Sequence, residues 1–283
     1  MGKASQAVSI PEPVRRHGTY AVLGLVALWT VVPIGWMFLS SLKIRRSMFS
    51  FPPQIIFDPT VQYYVDMFVG SNAVTGSLVS SVVVAVGTVL LSVTLGTAGG
   101  YGLSRLELRG KKHLAFWIIS TRMAPIAAVI IPLFYLYQIL NLMGTHIGLI
   151  IAHTTFNLPF AIWLMRSFFD EVPEALEEAA RVDGATKWQA FRRVSLPLVL
   201  PGIGATAIIA TVFSWNDFLF AFMFTDQATQ TLPVVASQQV TQTGTLWGRV
   251  MATGVIIILP MLVFGVIVKN YLVSGLTMGA VKE

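Results

Sequence analysis

Cysteine is absent from the 283 residues, which excludes disulfides, thiolate metal sites and a cysteine nucleophile. Charge is scarce: Asp, Glu, Lys and Arg together make up 11%, less than half of what a soluble domain carries. There is no G-x-x-x-x-G-K-[ST] loop, because Gly110 and Lys111 lack the earlier glycine at position 105, so nucleotide is not bound by that route. The string Gly202, Gly204, Ala207 has G-x-G-x-x-A spacing, but it opens an apolar run with no strand before it and is rejected as a dinucleotide fingerprint. No repeat of solenoid period and no low-complexity linker divides the chain.

What the chain does have is hydrophobicity, 55% of residues with a mean hydropathy of +0.72, gathered into uncharged runs. Runs at the spanning threshold of about 18 residues occur at 19–42, 76–104, 123–141, 145–165, 197–216 and 250–268. The fold class is therefore an all-α membrane protein with six transmembrane helices. The third run is expected to begin near Leu114, which puts Arg122 inside the bilayer. Phe218 to Thr225 is too short to span and is expected to be the outer end of the fifth helix. One membrane domain, 19–273, then lies between an N-terminal segment, 1–18, and a C-terminal tail, 274–283. Arg15, Arg16 and the run after them imitate a secretion signal, but the run is longer than a signal's apolar region and lacks a small-x-small cleavage site, so it reads as a retained anchor.

Orientation follows from the basic residues, since positively charged short loops stay on the cytoplasmic side. With both termini inside, fourteen of the 19 Lys and Arg are cytoplasmic, Lys43, Arg45, Arg46 and Arg249 are outside, and Arg122 lies between. Topology thus explains the pI of about 9.7, and with no basic face interleaved with exposed aromatics, nucleic-acid binding is not expected. The loop from Lys43 to Thr75 reads as a turn-rich start around Pro52, Pro53 and Pro59, then a short interfacial helix whose aromatics Tyr63, Tyr64 and Phe68 sit at headgroup level.

Metal chemistry finds little support. His146 and His153 lie seven residues apart on the fourth run with no carboxylate nearby in sequence, so interhelical hydrogen bonds are favoured over a metal pair. The informative stretch is about 170–197. It carries Asp170, Glu171, Glu174, Glu177 and Glu178 toward the start of a helix, Pro173 in its first turn, and Gly184 where a left-handed cap would fall. Thr186 and Gln189 make a capping box for a second helix, and Pro197 and Pro201 return the chain to the membrane. Such a helix pair suits docking into a groove of a partner protein, or lying solvated beside the headgroups; the physics alone leaves both open.

The run Glu178, Ala179, Ala180, Asp183, Gly184, Ala185, Phe191, Leu196, Pro197 and Pro201 resembles the EAA loop of binding-protein-dependent ABC importer permeases. Trp215, Asn216, Asp217 and Phe218, with the tail from Gly275 to Lys282, resemble the maltose-type carbohydrate branch, the shorter permease subunit, and the likeness covers nearly the whole chain. This resemblance implies a second homologous permease, two ATP-binding subunits and an extracytoplasmic solute-binding protein, in the plasma membrane of a prokaryote. It implies that ATP and Mg are bound by the partner ATPase, with no cofactor in this chain, and that the solute is a sugar, oligosaccharide or polyol. Glu174, Glu177, Glu178, Ala179, Ala180, Asp183, Gly184, Ala185, Phe191 and Pro197 are then expected at the ATPase. Gly275, Leu276, Thr277, Gly279 and Lys282 would reach it from the tail. Arg122, Gln138, Asn157, Trp163, Trp215, Asn216 and Asp217 are candidates for the solute pathway. An ion-coupled transporter or channel is the rival, resting on Arg122 and Asp217 as intramembrane charges; a membrane enzyme has no convergent constellation to support it.

Overall fold

The computed structural model describes residues 12–69, 74–241 and 244–278. The chain opens with α1 (Glu12–Ser41), passes the single turn α2 (Arg45–Met48) and α3 (Gln62–Val69), and returns along α4 (Thr75–Arg105). A broken pair follows, α5 (Lys111–Ser120) and α6 (Ile126–Ile139), and then α7 (His146–Glu171). The surface pair α8 (Glu174–Val182) and α9 (Lys187–Ala190) leads through a π turn, Phe191–Ser195, and α10 (Leu196–Leu198) into α11 (Leu200–Trp215). Beyond lie α12 (Leu219–Phe224), α13 (Leu232–Gln238), a hairpin of β1 (Val240–Thr241) with β2 (Gly244–Thr245), and α14 (Trp247–Met278). Helices dominate because a backbone in hydrocarbon must satisfy its own N–H and C=O groups.

Among the described residues four helices are long and apolar enough to cross a membrane, and six crossings are reached only when each bent pair counts as one span. The third expected span is not a straight helix from Leu114: α5 and α6 meet at 92°. Ala124, preceding Pro125, is extended at φ −64°, ψ 131°, because the proline ring crowds the residue before it out of the helical region. The fifth is likewise bent, by 69°, between α10 and α11, where Pro201 cannot donate to the turn before it. Phe218 to Thr225 is a separate helix rather than the end of α11. Asp217 Oδ1 accepts the N–H groups of Phe220 and Ala221 at 3.1 and 3.2 Å, which starts α12 afresh.

Two helices run past the boundaries drawn from hydropathy. α1 begins at Glu12, before the expected boundary at 19, and α14 runs on to Met278, so the tail expected from 274 starts inside a helix. The interfacial helix is present as α3, but its tyrosines face the bundle. Tyr64 Oη lies 2.6 Å from Ser41 Oγ, and the ring of Tyr63 closes on Gly248 of α14.

The centre is the α4–α7 pair. Lipid supplies no hydrophobic drive between helices, so small residues that permit close approach decide the packing. Thr88, Ser92, Gly96 and Gly100 recur every four residues along the buried face of α4. A Cβ at Gly96 would sit 2.6 Å from Ala161 Cβ, and one at Gly100 2.7 Å from the Arg166 backbone nitrogen. Gly100→Val is therefore expected to force the helices apart and lower the unfolding midpoint in detergent, at a cost of about 1–3 kcal/mol. Gly204→Ala, where nothing lies within 4 Å, should leave that midpoint unchanged or raise it; equal midpoints for both variants would refute the packing argument.

Candidate functional site

The acidic pair α8–α9 is held by a cluster at the C-terminal end of α4. Glu177 turns inward from α8, its side chain 11% exposed against 7% for that of Arg105. Arg105 Nε donates to Glu177 Oε1 at 2.9 Å and Tyr101 Oη to Oε2 at 2.9 Å. Ser195 Oγ, from the π turn, also donates to Oε1. The rest of the guanidinium is used as well, Nη2 donating to the Val172 carbonyl at 2.6 Å and Nη1 to Ser104 Oγ at 3.0 Å. Two separate stretches of chain, the end of α4 and the π turn before α10, thus converge on one carboxylate, and Arg105 ties the α7–α8 link to them. Aromatic rings close the cluster: Tyr101 meets Phe191 at 4.5 Å and Phe169 at 5.3 Å between centroids, and Trp188 meets Phe191 at 5.3 Å.

Burial by itself would raise the Glu177 carboxyl. The hydrogen bonds from Ser195, Arg105 and Tyr101, with the Arg105 charge, outweigh it and hold the group below the usual carboxylate range.

The helix ends match the sequence reading. Gly184 has φ +93°, Ala185 N–H donates to Ala180 C=O at 3.0 Å and Gly184 N–H to Arg181 C=O at 3.1 Å, the two bonds of a Schellman cap. Thr186 and Gln189 form the expected capping box, each side chain bonding the other's backbone N–H, at 3.2 and 2.8 Å. Glu174, Glu178, Ala179, Asp183 and Pro197 are exposed, Ala180, Ala185 and Phe191 are half-buried, and Glu177 alone of the ten is buried against its own chain. The outward face is apolar for a polar helix, with Leu176 45%, Val182 88% and, on α9, Trp188 66% exposed. Tyr101, Arg105 and Ser195 were not singled out by sequence. Tyr101 and Arg105, four apart and hence on one face at a span's end, carried a signal; Ser195 carried none.

Trp215 is committed to the core, its Nε1 donating to the Ile257 carbonyl at 3.1 Å. The side-chain nitrogens of Asn157 and Asn216 donate to carbonyls of their own helices, His153 and Val212. Gln138 and Trp163 are exposed. Arg122 stacks on Phe156, Phe160 and Phe213, with ring centroids 4.5, 5.0 and 4.3 Å away. Asp217 instead meets His153, whose Nε2 lies 3.1 Å from Oδ1 though off the line of a hydrogen bond, and whose Nδ1 lies 2.8 Å from Ser214 Oγ. A carboxylate absent from the sequence neighbourhood of His153 is thus supplied by the fold. Ser80 Oγ is 2.9 Å from His146 Nε2, so both histidines bond across helices, and among the described residues no three potential metal ligands cluster. Of the tail residues, Gly275, Leu276 and Thr277 end α14, while Gly279 and Lys282 lie outside the described residues.

Apolar helices of spanning length, two of the crossings broken beside prolines, and an acidic helix pair pinned to one end define a polytopic α-helical membrane protein. The chain belongs to the family of binding-protein-dependent transport system inner membrane components, which matches residues 92–277. It is 37% identical over 266 residues to y4oR, an ABC transporter permease protein of Sinorhizobium fredii, the match covering 93% of each chain. It is 36% identical over 275 residues to SugB, the trehalose transport system permease protein of Mycobacterium tuberculosis, covering 95% of this chain and 98% of that one. Its fold matches that of a bacterial ABC transporter involved in the import of the acidic polysaccharide alginate. The TM-score is 0.76 at 23% identity, over 94% of this chain and 99% of that chain.

The lowered Glu177 pKa has a pH signature. A depressed carboxyl contributes stability that is fully present above its unfolded value of about 4.3 and is lost as pH falls through the folded value. Glu177→Gln should lower the unfolding midpoint in detergent at pH 6 to 8 by an amount equivalent to about 2 kcal/mol, and the gap to the unsubstituted protein should close below about pH 4. A gap that is independent of pH would contradict the ionised pair.

Proposed function

We propose that this permease is one half of the translocation pathway of an ATP-driven importer for a sugar, oligosaccharide or polyol, with α8 as the helix that couples it to a separate ATPase. The single observation that carries this reading is the construction of α8. Its inner side is fastened by Glu177 to Tyr101, Arg105 and Ser195, while its outer side offers exposed Leu176 and Val182, with Trp188 beside it. A helix tied firmly below and apolar above suits seating in a partner's groove.

In this reading a homologous second permease completes the pathway, two ATP-binding subunits holding ATP and Mg sit against α8 and its counterpart, and an extracytoplasmic binding protein delivers solute. The domain from 19 to 273 spans the membrane with both termini cytoplasmic, as the distribution of Lys and Arg favours. Residues 274–283, with Gly275, Leu276, Thr277, Gly279 and Lys282, add a second contact to the ATPase. Closure of the ATPase pair biases a two-state membrane domain outward, and hydrolysis resets it. The substrate class is supported by the relative named as a trehalose transport system permease protein. Arg122 and Asp217 serve to hold or gate the pathway, one from an aromatic cage and the other from a helix break.

The test is co-purification of the ATPase with Glu178→Lys and Gly184→Val, alongside uptake in reconstituted vesicles. Glu178 is exposed on α8, so charge reversal should weaken assembly about tenfold through loss of a charge-assisted bond to the partner. Gly184→Val strains the +93° φ where an added Cβ meets nothing within 4 Å, and should leave a membrane-inserted subunit that does not drive its ATPase. Unchanged ATPase recovery and uptake for both variants would defeat the coupling assignment.

A further inference from the structure

At the N-terminal end of α4, about 45 Å along a 31-residue helix from the α8 cluster, a cavity of about 720 Å³ opens between α3, α4, α12 and α13. Its floor is apolar, with Met67, Val74, Val234 and Val235 all buried. Four glutamines, Gln227, Gln230, Gln238 and Gln239, line it above that floor.

The charged side chains of this cavity have partners of their own. Arg249 Nη2 lies 3.6 Å from Asp66 Oδ2, and Gln62 Nε2 donates to Asp66 Oδ1 at 2.6 Å. Asp226 Oδ1 accepts from the Ala228 and Thr229 backbone N–H groups and from Thr229 Oγ1, at 3.0, 3.1 and 3.0 Å. The amides are different. Gln238 Nε2 donates to Gln230 Oε1 at 2.9 Å, which fixes the two side chains together and leaves Gln230 Nε2 as a donor and Gln238 Oε1 as an acceptor close by.

A hydroxyl both donates and accepts, so two neighbouring hydroxyls of a polyol match such a pair, while the C–H faces of a sugar ring match the apolar floor. An anionic solute would meet the Asp226 carboxylate, which is held only by neutral donors, and an apolar one would strip water from the glutamine amides without replacing it. We propose that this cavity is a receiving subsite for an uncharged polyhydroxylated solute, with Gln230 and Gln238 as its hydrogen-bonding residues. The proposal rests on the carbohydrate reading given above.

The experiment uses the complete complex in vesicles, with ATP inside and solute-loaded binding protein outside, and trehalose, maltose and sorbitol as labelled probes. For the probe that the unsubstituted complex transports, Gln230→Leu combined with Gln238→Leu should cut uptake about tenfold, while affinity for the binding protein stays within twofold. Gln238→Glu, which keeps the acceptor, should retain at least a third of the uptake. Uptake within twofold of the unsubstituted complex for the double variant overturns the subsite. So does a parallel loss of binding-protein affinity, which would make the cavity a protein-docking surface. If the double variant fails to assemble, Gln238→Leu alone is read by the same criteria. Absence of uptake of all three probes by the unsubstituted complex would sink the carbohydrate reading and the subsite with it, whereas normal uptake that ignores the substitutions sinks the subsite alone.

Discussion

A carboxylate withdrawn from water costs several kcal/mol unless its lone pairs and its charge are both answered. Glu177 answers both, through Arg105, Tyr101 and Ser195. The arrangement of the whole α8 end follows from that requirement. The end of α4 must stay close enough for Arg105 to reach, the Val172 carbonyl must face the guanidinium, and the π turn must present Ser195. Removing any one partner leaves a buried group unsatisfied, so the three stretches of chain hold one another in register. This is how a nine-residue helix, too short to be stable alone, becomes a fixed feature of the surface.

Much of the fold was legible because its rules are local. Span length and hydropathy located the apolar runs that carry the four to six candidate crossings, and Gly184, Thr186 and Gln189 marked the end of α8 and the start of α9. The breaks were less legible. Pro125 and Pro201 were in plain view, but hydropathy averages over a window and does not register a bend, so the 92° turn between α5 and α6 was read as one straight span. Asp217 was read as an intramembrane charge, and its roles in capping α12 and meeting His153 were not foreseen. Those partners come from α7 and from three residues onward, and pattern reading supplied neither. For the same reason Glu177 was grouped with outward-facing acids. Its inward turn depends on Arg105, seventy-two residues away.

The membrane interior repeats the same economy of polar groups. His153 to Ser214 and Ser80 to His146 join helices with side chains that lipid cannot solvate. Arg122, with no acidic partner among the described residues, is accommodated by three phenylalanine faces at the break of the third crossing. A break stabilised in this way has a defined geometry, which is what a rigid-body transition between two arrangements requires at its pivots. In the proposed mechanism the motion enters at α8, passes through the Glu177 cluster into α4, and from α4 into α7 across their glycine seam.

The central claim, that the Glu177 cluster transmits ATPase closure to the membrane helices, is tested most directly by the number of solute molecules imported per ATP hydrolysed. Arg105→Gln removes the charge that holds Glu177 while keeping a donor in its place. The account predicts that the reconstituted complex still assembles and hydrolyses ATP but imports several-fold less solute per ATP than the unsubstituted transporter. A ratio equal to that of the unsubstituted complex, with assembly intact, would contradict it.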